Sequence, residues 1–270
     1  MNIAFVGGGN MASALIGGLL AKGTQPASIS VIERYESARE KLARQYGVRT
    51  SAVADEATRA ADTLLLAVKP QDLRTALAPL AEVARGKLVV SICAGVRLTD
   101  LSRWLGGHDR IVRAMPNTPA LIGAGIAALY APASVNAADQ QRAESILRAV
   151  GEAVWVPEEA LLDPVTAVSG SGPAYVFWFI EQLAQSGVAL GLAEETARKL
   201  ALQTVLGAAQ LAAKSNEPPS VLREQVTSKG GTTEAALRVF DEERLAERLR
   251  KALEAASRRG AELGALLGRD

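Results

Sequence analysis

The sequence predicts an α/β fold: an N-terminal Rossmann-type, mostly parallel sheet joined to a C-terminal all-helical domain. Three observations carry this. Short apolar β-rich runs alternate with helical stretches through residue 157, a glycine-rich turn follows the first run, and from Glu158 onward almost no β-type alternation is left. Strands alternating with helices imply right-handed crossovers and parallel pairing. The expected domains are therefore residues 1–157, α/β, and residues 158–270, helical.

Asn2–Val6 reads as the first strand, followed by a helix from Asn10 to Lys22. Ile29–Glu33 is a second strand and Tyr35–Tyr46 a helix. Thr63–Val68 (TLLLAV) is a continuous apolar run, the pattern of a strand covered on both faces, and Leu88–Ile92 and Ile111–Ala114 are similar. Ile126–Tyr130 and Ala153–Val156 are the later strands. In the second half, helices are expected over Glu158–Val168, Pro173–Leu190, Ala193–Lys214, Pro219–Val226 and Thr232–Leu267. The last is expected to break near Asp241 and Gly260; Gly170, Gly172, Gly191, Pro218 and Gly230–Gly231 are the stops.

With 49% apolar and 22% charged residues over 270 positions, the chain can bury a sizeable core as an ordinary soluble protein. Net charge is +1 with no long run of one sign, so no nucleic-acid or polybasic membrane surface is expected. Cys93 is the single cysteine, which excludes an intrachain disulfide and fits a reducing compartment. Apolar stretches are interrupted well before about 20 residues, and no basic segment precedes the first strand, so a cytoplasmic protein without a membrane span is expected. The helix Ala193–Lys214 carries Ala197, Ala201, Gly207, Ala208, Ala209, Ala212 and Ala213. Side chains that small allow close helix packing, within one chain or against a second copy, and a homodimer or larger assembly is expected.

Val6-Gly7-Gly8-Gly9-Asn10-Met11-Ala12 fits G-x-G-x-x-A between a strand and a helix, the context that a dinucleotide-binding turn requires. Gly7 permits the tight turn, Gly9 lets backbone approach a pyrophosphate, and Ala12 allows close helix–strand contact, with the helix N-terminus facing the phosphates. Glu33 ends the second strand where an acid would bond a ribose 2′-hydroxyl, favouring NAD, whereas Arg34 beside it would pair with a 2′-phosphate, favouring NADP. The two signals oppose each other, and Glu33 has a third reading as a solvated partner of Arg34 or Arg39. In an open α/β sheet the carboxyl ends of strands line the ligand crevice. Ala67-Val68-Lys69-Pro70 and Ala94-Gly95 fall at such ends. Cys93 reads as a small buried apolar residue, and His108, the only histidine, lies in a loop away from every glycine cluster. No metal site is expected.

Two glycine–hydroxyl clusters stand in the second half, each ahead of a helix. Ser169-Gly170-Ser171-Gly172-Pro173 is one, and Ser228-Lys229-Gly230-Gly231-Thr232-Thr233 the other. Such helix starts can hold a small carboxylate through backbone N–H groups, or serve only as caps.

With these motifs in place, the sequence resembles the pyrroline-5-carboxylate reductases. GGGNMA, AVKPQ, SICAGV, RAMPNTPA, VSGSGPAYVF and VTSKGGTTEAAL occur in family order from residue 7 to residue 237. The resemblance implies reduction of 1-pyrroline-5-carboxylate to L-proline by NADPH, with NADH an alternative donor. It assigns Gly7 to Ala12, Lys69 and Ala94 to the cofactor, and places Asn117 and the Ser169–Pro173 turn on its nicotinamide side. It assigns Ser228, Gly231, Thr232 and Thr233 to the substrate carboxylate and ring, on a loop that in the family meets the nicotinamide across an intertwined dimer. Gly230 belongs to the same loop. Ser228 and Thr233 are the expected catalytic hydroxyls, Thr233 toward the ring nitrogen. Glu217 lies where related enzymes place a glutamate near the substrate amine, its other reading being a solvated helix-start carboxylate. Lys229 stands where the family usually has proline, and Glu33 where several relatives carry a neutral residue.

A cyclic imine can take up its proton before hydride arrives, so no alkoxide needs a donor, and the reaction suits a chain with one remote histidine. Two other functions compete. A β-hydroxyacid dehydrogenase would need lysine and asparagine in the helix after the glycine turn, where this chain has the apolar Ala174-Tyr175-Val176-Phe177-Trp178-Phe179. A non-catalytic dinucleotide-binding redox sensor would not need two intact substrate loops.

Overall fold

The structure, a computed structural model, describes residues 1–269. Among these, eight strands form one sheet: β1 (Ile3–Val6), β2 (Ile29–Ile32), β3 (Arg49–Ser51), β4 (Thr63–Leu66), β5 (Leu88–Ser91), β6 (Ile111–Met115), β7 (Gly125–Tyr130) and β8 (Gly151–Trp155). Their spatial order is β3-β2-β1-β4-β5-β6-β7-β8. Every pairing is parallel except β6–β7, which is antiparallel. The order reverses direction between β1 and β4, and this switch point is where a doubly wound sheet opens a crevice at its strand carboxyl ends. The helices are α1 (Asn10–Ala21), α2 (Glu36–Tyr46), α3 (Glu56–Ala60), α4 (Pro70–Leu77), α5 (Ala81–Ala84), α6 (Leu98–Trp104), α7 (Ala137–Leu147), α8 (Leu162–Val165), α9 (Gly172–Ala189), α10 (Glu194–Lys214), α11 (Pro219–Gln225), α12 (Thr232–Glu242) and α13 (Leu245–Leu267).

Strand side chains alternate between two covered faces. Ile3, Phe5, Val31, Leu65 and Val90 pack with Ala12, Leu15, Ile16 and Leu19 of α1. Ala4, Val6, Leu64, Leu66 and Val89 pack with Leu73 and Leu77 of α4 and Leu101 of α6. Both faces are dry, which is why these strands read as unbroken apolar runs.

The chain forms two compact units, Met1–Ser171 together with the chain from Ala255 on, and Gly172–Glu254. Residues 158–171 thus belong with the sheet. Glu159 accepts bonds from Arg113 (2.6 Å) and from the Leu98 amide (2.7 Å), and Asp163 pairs with Arg97 at 2.5 Å. In the second unit α9 and α10 lie against each other, with Gly187 facing Ala197. Ala197 and Ala201 are buried, whereas Ala208, Ala209 and Ala213 are exposed. Phe177, Trp178, Leu190 and Leu200 also face outward, the surface of a unit built to be covered. No helix among the described residues is long and apolar enough to cross a membrane.

Three expectations are corrected, and one strand had not been expected. β3 had no sequence counterpart, because a three-residue edge strand beginning with an exposed arginine shows no period. Glu158–Val168 is not one α-helix but a 3₁₀ turn at Glu159–Leu161, α8, and a π-helical turn at Thr166–Gly170. Gly170 and Gly172 are not stops, since Ser171 keeps right-handed helical angles between the π turn and α9. The long C-terminal segment breaks at Glu243–Arg244, beside the expected Asp241, where Arg244 takes φ 53°, but it passes through Gly260, the other expected break, without interruption.

Candidate functional site

At the switch point the end of β1 lies between the ends of β2 and β4. The Gly7 amide donates to Ile32 O (2.8 Å) and the Ala67 amide to Val6 O (2.8 Å). Gly7 adopts φ +99°, and a Cβ there would lie 2.8 Å from Ala67 O and from Val68 Cγ1, so only glycine fits this corner. Gly9 differs: it is the exposed N-cap of α1 at φ −69°, and a Cβ there would meet nothing within 4 Å. The first amide to turn back into α1 is that of Ser13, onto Gly9 O, leaving the amides of Asn10, Met11 and Ala12 ahead of it at the positive end of the helix. Ala12 is fully buried against the core. An open space before unused amides and a helix dipole suits a pyrophosphate, so the residues present fit a dinucleotide.

Glu33 and Arg34 part company. The Glu33 carboxylate accepts from the Gly8 amide (2.9 Å) and from the Tyr35 amide (3.0 Å). It is therefore not the solvated partner of Arg34 or Arg39 that the sequence allowed. Arg39 instead donates to the Glu33 and Arg34 carbonyls, at 3.0 and 2.9 Å. The Arg34 guanidinium is 63% exposed; it lies over the Tyr35 ring and 3.4 Å from Asp72. A backbone-bound carboxylate braces the loop, while an exposed, weakly paired cation is free to meet an anion.

Around this corner, Lys69 is the exposed N-cap of α4 with Pro70 as its first residue. The Cys93 thiol donates to Val68 O (3.2 Å) and Leu66 O (3.4 Å), and burial pushes it up to about 12. It is a packing thiol, protonated at any working pH. Ala94 and Gly95 follow it, Gly95 at φ +80°. Asn117 is 9% exposed; its amide donates to Ser169 O (3.2 Å) and its carbonyl accepts the Ile126 amide (3.0 Å). Both ends of the side chain thus hold backbone, tying the segment after β6 to the π turn. The Ser171 amide bonds Thr166 O (2.8 Å), and Met115 closes over Gly170. Ser169 and Gly170 therefore end a braced π turn (Thr166–Gly170) that runs on through Ser171 into α9.

In the second unit, Gly231 is the N-cap of α12. Its amide bonds Ser228 O (2.9 Å) and Gly230 takes φ +72°, so Ser228–Gly231 is a turn of type II with Lys229 at its second position. The Gly230 amide donates to Glu234 Oε2 (2.6 Å). Ala235 is the first residue whose amide turns back, to Gly231 O (3.2 Å). The amides of Thr232 and Thr233 precede it, alongside the exposed hydroxyls of Ser228 and Thr232 and the half-buried Thr233. A carboxylate fits there, held by amides, hydroxyls and the helix dipole. Glu217 is exposed, its amide on Ser215 Oγ (3.0 Å), and no bond joins its side chain to the turn.

Sequence reasoning missed Glu234 and Asp72. The capping-box signal needs Ser or Thr three residues before the glutamate, where Gly231 stands, so Glu234 carried no such signal. Asp72 approaches Arg34 across 38 positions, for which no local pattern exists.

Residues 159–263 match the family model described as pyrroline-5-carboxylate reductase dimerisation, and residues 2–95 the one described as NADP oxidoreductase, coenzyme F420-dependent. The chain is 46% identical to a pyrroline-5-carboxylate reductase of Pseudomonas aeruginosa, over 98% of each protein. It is 36% identical to one of Arabidopsis thaliana, covering 97% of this chain and 95% of that one. A solved pyrroline-5-carboxylate reductase from Coxiella burnetii superposes with a TM-score of 0.92 at 42% identity, over 97% of this chain and 98% of the other. A Plasmodium falciparum pyrroline carboxylate reductase, solved with NADP bound, gives 0.84 at 29% identity over 98% of each chain.

Proposed function

The chain belongs to the pyrroline-5-carboxylate reductase family, and from that premise we propose that it reduces 1-pyrroline-5-carboxylate to L-proline with NADPH as hydride donor. The single observation that carries the choice of donor is the division of labour between Glu33 and Arg34. Both Glu33 oxygens accept backbone amides, which supports a brace rather than a reader of the 2′-hydroxyl. Arg34 keeps an exposed guanidinium, stacked on Tyr35 and paired only with Asp72 at 3.4 Å, for a 2′-phosphate.

Gly7 to Ala12 seat the pyrophosphate, with Ala67, Val68, Lys69, Pro70, Ala94 and Gly95 around the nucleotide. Asn117 acts through Ser169, fixing the π turn that borders the nicotinamide; Gly170, Ser171, Gly172 and Pro173 continue that border. When bound, the reduced nicotinamide supplies a hydride from C4 to the imine carbon. The Thr232 and Thr233 amides, the Ser228 hydroxyl and the α12 dipole hold the substrate carboxylate, while the Thr233 hydroxyl bonds the ring nitrogen. Gly230 and Gly231 shape that turn, their own amides being bonded within it. The imine arrives protonated, so these residues orient the ring and need not move a proton. Orientation alone lowers such a barrier by up to roughly 7–11 kcal/mol. Glu217 has no bond to that turn, and a solvated carboxylate is the reading its surroundings support. The outward-facing apolar surface of the helical unit and its match to a dimerisation family support self-association, as a homodimer or larger.

The test is a steady-state comparison of NADPH and NADH oxidation on addition of pyrroline-5-carboxylate. The proposal expects a higher kcat/KM with NADPH. Equal values, or a preference for NADH, contradict the assignment of Arg34, and no turnover with either contradicts the reaction.

A further inference from the structure

The C-terminal end of α13 comes back to the loop that follows β5. Gly264 lies against Gly95, so closely that a Cβ on Gly264 would stand 2.6 Å from Gly95 O and 3.3 Å from Arg97 Nε. From the other side, a Cβ on Gly95 would stand 3.5 Å from the Gly264 amide and 3.7 Å from Leu267 Cδ1. Arg97, two residues on, is anchored to Asp163 at 2.5 Å. One turn further along, Arg103 donates to Gly268 O at 2.7 Å. The loop Ala94–Arg97 is thus clamped between its own strand and the backbone of α13.

We propose that Gly264 is a positioning residue for the dinucleotide, acting through Gly95: the helix backbone sets how far the Ala94–Gly95 loop stands from the nucleotide crevice. This rests on the reading that Ala94 and Gly95 border the nucleotide. The physical basis is that backbone presses on backbone. A side chain added at Gly264 cannot rotate away from a carbonyl 2.6 Å off, so either the helix or the loop must shift. Gly260, one turn earlier on the same helix, is the internal control. A Cβ there would meet Asp163 Oδ1 at 3.6 Å and Cβ at 3.8 Å, ordinary contacts that need no movement.

The experiment uses the full chain with NADPH as probe. Gly264→Ala is expected to raise the NADPH dissociation constant about tenfold, a displacement of a fraction of an ångström costing affinity as misplacement costs rate. The KM for pyrroline-5-carboxylate at saturating NADPH stays within about twofold, and Gly260→Ala leaves both values at the parent level. A Gly264→Ala protein that loses Tm or kcat while keeping its NADPH affinity has a merely structural glycine, and overturns the proposal. Ala94→Leu separates the proposal from its premise. If Ala94→Leu weakens NADPH binding and Gly264→Ala does not, the proposal alone fails. If Ala94→Leu changes nothing, the loop does not border the nucleotide and both fail. Should Gly264→Ala not fold, hydrogen exchange on the unmodified protein decides. Binding of NADPH is expected to slow exchange of the amides of residues 264–268, because coupling between loop and helix is reciprocal. Unchanged exchange there overturns the proposal.

Discussion

Replacing Gly9 by alanine separates the glycine turn's part in folding from its part in binding. Gly9 sits at φ −69°, ψ −174°, extended backbone that alanine adopts freely, with nothing within 4 Å of the new methyl group. Two small effects then oppose each other. Alanine is a poorer N-cap than glycine by about 0.5–1 kcal/mol, while removing glycine restricts the unfolded chain and stabilises by about 0.4–1 kcal/mol. Net stability should stay within about 1 kcal/mol of the parent. In the proposed function, however, a pyrophosphate approaches the Asn10–Ala12 amides through the open space beside Gly9, and the methyl group occupies that space. A loss of tenfold or more in NADPH affinity, about 1.4 kcal/mol, is expected. Gly7→Ala gives the converse pattern. At φ +99° alanine costs about 1–3 kcal/mol in backbone strain, and its Cβ would stand 2.8 Å from Ala67 O, so stability falls as well as binding. Urea unfolding and fluorescence titration with NADPH measure the two quantities separately. A Gly9→Ala protein that binds NADPH as the parent does would refute the placement of the phosphates.

Arg34→Ala should lower kcat/KM for NADPH about tenfold, toward the low end for a charge-assisted bond because the side chain is exposed, and leave the NADH value nearly unchanged. Equal losses with both nucleotides would show that Arg34 does not read the 2′-phosphate. Lys229→Pro should raise stability by about 0.4–1 kcal/mol in urea unfolding, since the second position of a type II turn already has the φ that proline imposes; destabilisation would show the turn is misassigned. Burial pushes His108 below its ordinary value, so on acidification below about pH 6.5 the unfolded chain takes up a proton that the folded chain refuses. Stability therefore falls as pH drops through that window, and His108→Gln should flatten the slope between about pH 7 and 5. Parallel slopes for the two proteins would contradict this.

Much of the fold was legible because the sheet is covered on both faces. Residues 64–66 and 88–90 are apolar throughout for this reason, and the glycine turn announced β1 and α1. What escaped lacks a local signal. Arg49–Ser51 is too short to show a period. The π turn at Thr166–Gly170 reads in sequence as the end of an ordinary helix stopped at Gly170, because the wider i→i+5 bonding that carries the chain through to α9 leaves no local pattern. Residues 159–163 join the sheet unit through Arg113 and Arg97, partners 46 and 66 positions away. The same limit governs the site. Motifs located the residues, but which amides are already bonded is a matter of approach distance. The sequence left Glu33 open between a ribose ligand and a solvated partner of Arg34 or Arg39, and only the fold shows its carboxylate on the Gly8 and Tyr35 amides; likewise the Gly230 amide is held by Glu234.

The claim on which the rest depends is that hydride passes from the nucleotide bound at the Gly7–Ala12 turn to the imine carbon of the substrate. NADPH deuterated at the transferable C4 position, incubated with the protein and pyrroline-5-carboxylate, tests it directly. The account predicts proline carrying one deuterium on the ring carbon formerly double-bonded to nitrogen, in amounts matching the NADPH oxidised. Unlabelled proline, or NADPH oxidised without proline formed, would contradict it.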